Sequence, residues 1–272
     1  MTGRLIPFSI SPGRPTPLAL ATVIVSAISL AIAPAPSPAA AEEVDHAAEY
    51  DACLTLAKSE PEEGFESALA WQAMGGGEAA QHCAAVALVE LGHYPEAAAR
   101  LEALAETTRR TRPELAPEIL AQAGQAWLLA GDHERAYAVQ TTALELSPDN
   151  VELLVDRGVT LASAENYAEA VTDLSRALLF VPDRPDILVY RASAYRMLDD
   201  QPRAMADVER ALILDPENPE GLLERGNLRR LTGDQDGARQ DWLRAAALAK
   251  RQPTGEAAQA NLAAMDVHVE AE

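Results

Sequence analysis

The chain is poor in aromatic residues, cysteine and lysine. Aromatic side chains are 4% of its 272 residues, so any core must be built from aliphatic and small groups. Lysine occurs twice, as Lys58 and Lys250; the remaining basic residues are arginines, and 42 acids leave a net charge of −20. So acidic a surface repels phosphate backbones and anionic lipid, which argues against nucleic-acid and membrane-surface binding. Short motifs that carry chemistry are also missing: there is no G-x-S-x-G, no glycine-rich phosphate loop and no H-E-x-x-H. His46, His82, His93, His133 and His268 are scattered without metal-ligand spacing. His82 and its neighbour Cys83 would diverge by about 100° on a helix, too far to share one metal. These absences predict no catalytic residue, no metal and no cofactor. No segment alternates polar and apolar residues with period 2, so no sheet is expected either.

The first 41 residues differ from the rest. They hold Arg4 and Arg14, no acid, an uncharged apolar run from Leu18 to Ala33, then Pro34, Pro36, Pro38 and the small triplet Ala39, Ala40, Ala41. This is the pattern of a secretory leader with a small-residue cleavage site, which predicts a periplasmic or secreted protein starting near Glu42. The apolar run falls short of the ~20 residues a span needs, so no integral membrane span is expected after cleavage. Retention of the leader as an anchor is the alternative.

What the chain has in abundance is repetition. Pro148, Pro182 and Pro216 are evenly spaced, with a 34-residue period, and columns of residue type repeat with them. Small residues recur as Gly124, Gly158, Ala192, Gly226; as Ala136, Ala170, Ala204, Ala238; and as Ala143, Ala177, Ala211, Ala245. The column Leu120, Leu154, Leu188, Leu222 precedes the first of these by one helical turn. Two helices cross closely only where one offers Gly or Ala to a large side chain of the other. Each repeat is therefore a helix hairpin, and stacked hairpins bury the stripe that one alone cannot. Asp132, Asn166, Asp200 and Asp234 stand where side chains cap second helices, and Asn150 and Asn218 where they cap first helices. Pro185 and Pro219 fit the first helical position.

These columns resemble the tetratricopeptide repeat. The resemblance covers four units over residues 114–249, although the usual turn glycine, present as Gly131 and Gly233, is Glu165 and Asp199 in the middle units. Upstream, Ala85, Gly92, Tyr94 and Ala97 mark a fifth hairpin, with five extra residues around Thr107 to Pro113, and Ala47 to Met74 reads as a degenerate sixth. Thr254 is placed to cap a last helix that covers the open end. The expected architecture is an all-α, right-handed α-α superhelix of five to six hairpins with a C-terminal capping helix. Its divisions are a leader over 1–41, degenerate hairpins over 42–113, four repeats over 114–249 and a cap with tail over 250–272.

The resemblance implies a concave groove, lined by first helices, that holds a peptide or protein partner. Its lining would include Gln122, Asp156, Tyr190 and Glu224, with Gln125, Val159, Ser193 and Asn227 one turn on. The residues with which chaperone-binding members clamp a terminal carboxylate are absent; Ala121, Val155, Val189 and Leu223 replace the lysine. Asp156→Ala, on this face, is expected to leave stability within about half a kcal/mol. Arg157, Arg191 and Arg225 form a further column, whose stems should pack in the helix seam with an acid such as Asp156, Asp173 or Glu224 as partner. Cys53 and Cys83 fall on neighbouring first helices, where an exported chain could bridge them; two buried thiols are the alternative. The expected function is a non-enzymatic scaffold of the cell envelope that binds a peptide or protein. An accessory subunit of an envelope enzyme or secretion complex, and a hydrolase with an unrecognised site, are the competing readings.

Overall fold

The computed structural model describes residues 46–269. The leader expected over 1–41 and the start at Glu42 lie outside them. Among the described residues there are thirteen α-helices, one 3-10 turn and no strand, and no helix is long and apolar enough to cross a membrane. The described residues divide into two compact units, one ending at His93 and the other beginning at Tyr94.

In the first unit α1 (His46–Ser59), α2 (Pro61–Ala73) and α3 (Gly77–Glu90) pack mutually. Pro61 opens α2 at a position that needs no N–H donor, with Glu62 and Glu63 at its positive end. α1 and α2 approach so closely that a Cβ on Gly64 would come within 2.4 Å of the Ala57 backbone. Alanines fill most of this small core, and only Tyr50, Trp71 and Val86 are bulky among its buried members. Two cross-links compensate. A disulfide joins Cys53 on α1 to Cys83 on α3, and the Tyr50 hydroxyl shares a 2.7 Å hydrogen bond with His82 Nδ1, both side chains buried.

The second unit is the repeat array. It opens with α4 (Tyr94–Thr111), 18 residues long against 14 for the later second helices, and a 3-10 turn at Pro113–Leu115. The five extra residues of the sequence register lie there. Four hairpins follow: α5 (Ala116–Leu129) with α6 (His133–Leu146), α7 (Val151–Ser163) with α8 (Tyr167–Phe180), α9 (Pro185–Met197) with α10 (Gln201–Leu214), and α11 (Pro219–Leu231) with α12 (Gln235–Leu248). Each first helix packs on its own second helix and on the second helix before it, α5 on α4 included. First helices also touch in series, α5 to α7 to α9 to α11, and α13 (Pro253–Val269) continues the series while covering α12. This is the all-α superhelical repeat architecture that the columns predict.

The columns explain the stack. Leu154, Leu188 and Leu222 are fully buried. Gly158 is needed because a Cβ there would stand 2.9 Å from Leu174 Cγ. Asp132, Asp200 and Asp234 accept from the backbone N–H three residues on, and Asn150 and Asn218 cap first helices. Asn166 departs from the expectation and makes no side-chain cap. Glu165 and Asp199 hold the turn that glycine makes at Gly131 and Gly233, with φ of 63° and 59°. Thr254 is not a cap: it lies inside α13 and donates to Glu220 at 2.9 Å.

Candidate functional site

The first-helix series carries three columns with the period of the repeat. Glu118, Glu152, Asp186 and Glu220 form the first, Gln122, Asp156, Tyr190 and Glu224 the second, and Gln125, Val159, Ser193 and Asn227 the third. One turn separates each from the next, so on a helix they share a face. The structure brings several of these side chains together between neighbouring helices. Gln125 on α5 donates to Asp156 on α7 at 3.2 Å. Asn227 on α11 accepts from Asn261 on α13 at 2.9 Å. Gln122, Val159 and Ser193 are half-buried on the same face.

Electrostatically the face is acidic, with two arginines embedded in it. Arg184, at the start of α9, donates to Asp186 and to Glu152 on α7, each at 2.5 Å. Asp186 is held below the usual carboxylate range: burial pushes it up, but the hydrogen bond and charge of Arg184, together with the backbone N–H groups of Ile187 and Asp186, outweigh burial. Arg196 on α9 donates to Glu224 on α11 at 2.6 Å. Glu224 is thereby buried and committed, so it is less a groove lining than its column suggests.

Asp156 and Tyr190 remain at the centre. Burial pushes the Asp156 carboxyl up to about 6; the Gln125 amide opposes the shift and the charge of Glu152 adds to it. Burial likewise raises the Tyr190 phenol, reinforced by the negative charges of Asp186, Glu220 and Asp156 and opposed by Arg184. Tyr190 is half-buried, with acids from α7, α9 and α11 around it. Glu118 keeps one carboxylate oxygen buried without a hydrogen-bond partner among the described residues. The groove columns expected from sequence do not include Glu118, Glu152, Asp186 and Glu220; their spacing at the repeat period is the sequence signal that they form one column. Among the described residues no group of three metal-ligating side chains is present.

The arginine column does not belong to this face. Arg157, Arg191 and Arg225 pair with Asp173, Asp207 and Asp241 on their own second helices at 2.7–2.8 Å. Of the partners expected from sequence, Asp173 is correct, while Asp156 and Glu224 bond elsewhere.

The tetratricopeptide repeat profile matches residues 84–151, 155–219 and 202–256, more than half of the chain. The chain belongs to the tetratricopeptide repeat family. Solved structures agree in fold. A tetratricopeptide repeat protein from Parabacteroides merdae matches with a TM-score of 0.60 at 17% identity, covering 80% of this chain and 86% of its own. The C-terminal part of a repeat protein from Cytophaga hutchinsonii matches at 0.59 and 15% identity, covering 80% and 95%. MamA from Desulfovibrio magneticus matches at 0.53 and 22%, covering 62% of this chain and 93% of its own. No curated protein matches the sequence.

Proposed function

We propose that this tetratricopeptide repeat protein is an exported, non-enzymatic scaffold of the bacterial cell envelope that holds a protein or peptide partner on its first-helix face. The observation that carries the reading is the setting of Tyr190, a half-buried aromatic with acids of three successive first helices around it. Aromatic side chains dominate binding energetics at protein interfaces, and the acids favour a docking segment that carries Lys or Arg. The leader-like first 41 residues support export.

Co-purification from the envelope fraction tests this. Tyr190→Ala should weaken capture of the co-eluting partner at least tenfold, about 1.4 kcal/mol, while Gln235→Ala at the start of α12 should not. Melting of the same variants separates binding from packing. Intact capture with a lowered melt removes Tyr190 from the site.

A further inference from the structure

The first hairpin of the array, α5 with α6, lacks the arginine that the next three carry. Arg157 and Arg191 each bond an Asp on their own second helix and reach back to the second helix before it, to Thr141 Oγ1 at 3.2 Å and to Ser175 Oγ at 3.1 Å. One repeat earlier the arginine column holds Ala123, and the aspartate column holds Val139. A pocket of about 340 Å³ opens there, lined from α4, α5 and α6, with Ala105, Leu120, Ala138 and Val139 as its apolar part and Glu102 and Glu106 as its acids. Two of these residues locate it at the missing guanidinium. Val139 takes the place of the receiving Asp. Glu102 stands 39 residues before Thr141, the same offset as Gly92 before Gly131, so it takes the place of the reach-back acceptor. Leu120 shows the loss of a cover: it is 8% exposed, whereas Leu154, Leu188 and Leu222 of its column are 0%, 1% and 0%.

Charge and shape say what fits. Glu106 is already matched, by Arg109 and Arg110 on its own helix. Glu102 is half-buried and has no ion-pair partner among the described residues; it accepts a hydrogen bond from Trp127 Nε1 at 2.5 Å. A carboxylate at the wall of an apolar pocket favours a cation that also buries carbon. Arginine does so, with an apolar stem and a flat, weakly hydrated guanidinium, while the compact ammonium of lysine holds its water. The volume suits one long side chain, at the lower end of the range for ligand pockets. We infer that this pocket receives an arginine side chain of a partner protein, seated where Arg157 and Arg191 sit in the next two hairpins, with Glu102 as its counter-ion. The pocket shares no residue with the face around Tyr190 and is filled independently of it.

Titrating the full chain with acetyl-Ala-Arg-Ala-amide, followed by the indole N–H resonance of Trp127, tests the inference, because that N–H is bonded to Glu102. The resonance should shift saturably, and peptides with lysine or citrulline in place of arginine should bind at least tenfold more weakly. Ala123→Arg with Val139→Asp copies the fork of the next hairpin into the pocket, and should abolish the peptide-dependent shift without lowering the melt. Glu102→Gln keeps an acceptor for Trp127 and removes the charge; it should weaken binding at least tenfold with folding intact. An arginine peptide that never moves the resonance overturns the inference. So does a lysine or citrulline peptide that binds as tightly, or an arginine peptide that binds Glu102→Gln as tightly as the parent.

Discussion

Arg191 grips Asp207 through two parallel hydrogen bonds, Nε to Oδ2 at 2.7 Å and Nη2 to Oδ1 at 2.8 Å. The same fork recurs one repeat to either side, as Arg157 on Asp173 and Arg225 on Asp241. A further donor reaches back one hairpin, from Arg191 to Ser175 Oγ at 3.1 Å and from Arg157 to Thr141 Oγ1 at 3.2 Å. Each of these two guanidinium groups therefore ties its own hairpin together and joins it to the one before. The first hairpin of the series has Ala123 and Val139 at the positions of the fork, both buried, so an apolar pair serves there instead.

That contrast predicts how the pair responds to substitution. Asp207→Ala leaves a partly buried arginine without its carboxylate and should cost about 3 kcal/mol. Arg191→Ala with Asp207→Val, copying the first hairpin, should lie within about 1 kcal/mol of the parent, since apolar replacements of buried pairs are often neutral. Urea denaturation of the three proteins decides. A double variant as unstable as the single would mean that the fork is worth more than its packed apolar equivalent.

The seam at Gly158 makes a second prediction. A methyl there meets Leu174 Cγ at 2.9 Å and Cδ2 at 3.1 Å. Gly158→Ala should lose about 1 kcal/mol despite alanine's better helix propensity, and Gly158→Leu several. The next hairpin shows the remedy, because Ala192 and Val208 occupy the same two columns there, both fully buried. Gly158→Ala with Leu174→Val should recover most of the loss in thermal melting; equal loss in single and double variants would refute the seam assignment.

These columns show what the sequence makes legible. Gly158, Ala192 and Gly226 reveal their seam because small size has one structural use when it recurs in every repeat. The Arg157, Arg191, Arg225 column was equally visible, and so was Asp173, Asp207, Asp241 at a constant offset. What periodicity could not supply was the choice of acid across the hairpin, since Asp156 and Glu224 lie on the same helices as the arginines. Burial was hidden in a similar way. Glu224 sits in a groove column, yet Arg196 draws it into the packing.

The inter-helix turns give a third prediction. Glu165 holds a left-handed φ of 63°, a conformation in which a side chain is strained and glycine is not. Glu165→Gly should raise stability by roughly 0.5–1 kcal/mol, the gain from relieved strain exceeding the added freedom of the unfolded chain. Asp199→Gly should gain less, because aspartate tolerates this region better than glutamate. A loss at both positions, seen as lower melting temperatures, would contradict the turn reading.

Gln140 is a polar residue in an apolar column. Leu174, Val208 and Trp242 fill the equivalent places, and Gln140 is as fully buried as they are. Neither atom of its amide has a hydrogen-bond partner among the described residues. Gln140→Leu, which copies the Leu174 over Gly158 arrangement onto Gly124, should stabilise by about 1–2 kcal/mol by removing an unsatisfied buried group. Destabilisation on urea denaturation would show that the amide is satisfied after all.

Asp156 joins stability to binding. Its folded pKa of about 6 lies above the ~3.9 of an unfolded aspartate, so between these values the folded chain holds more protons than the unfolded one. Stability from this group is therefore full below about pH 4, falls as pH rises through about 6, and stays low above that. Asp156→Asn should abolish that fall and stabilise the protein at pH 7 by about 2 kcal/mol, with little effect at pH 4. This replaces the sequence-based expectation that Asp156 is a neutral surface position. If the first-helix face receives a cationic segment, the ionised carboxylate is the form that binds, and Asp156→Asn should weaken capture while raising the melt. Melting at pH 4 and pH 7 alongside capture at pH 7 tests both halves. A variant no more stable than the parent at pH 7 would show that Asp156 is well solvated, and one that captured normally would take Asp156 out of the binding face.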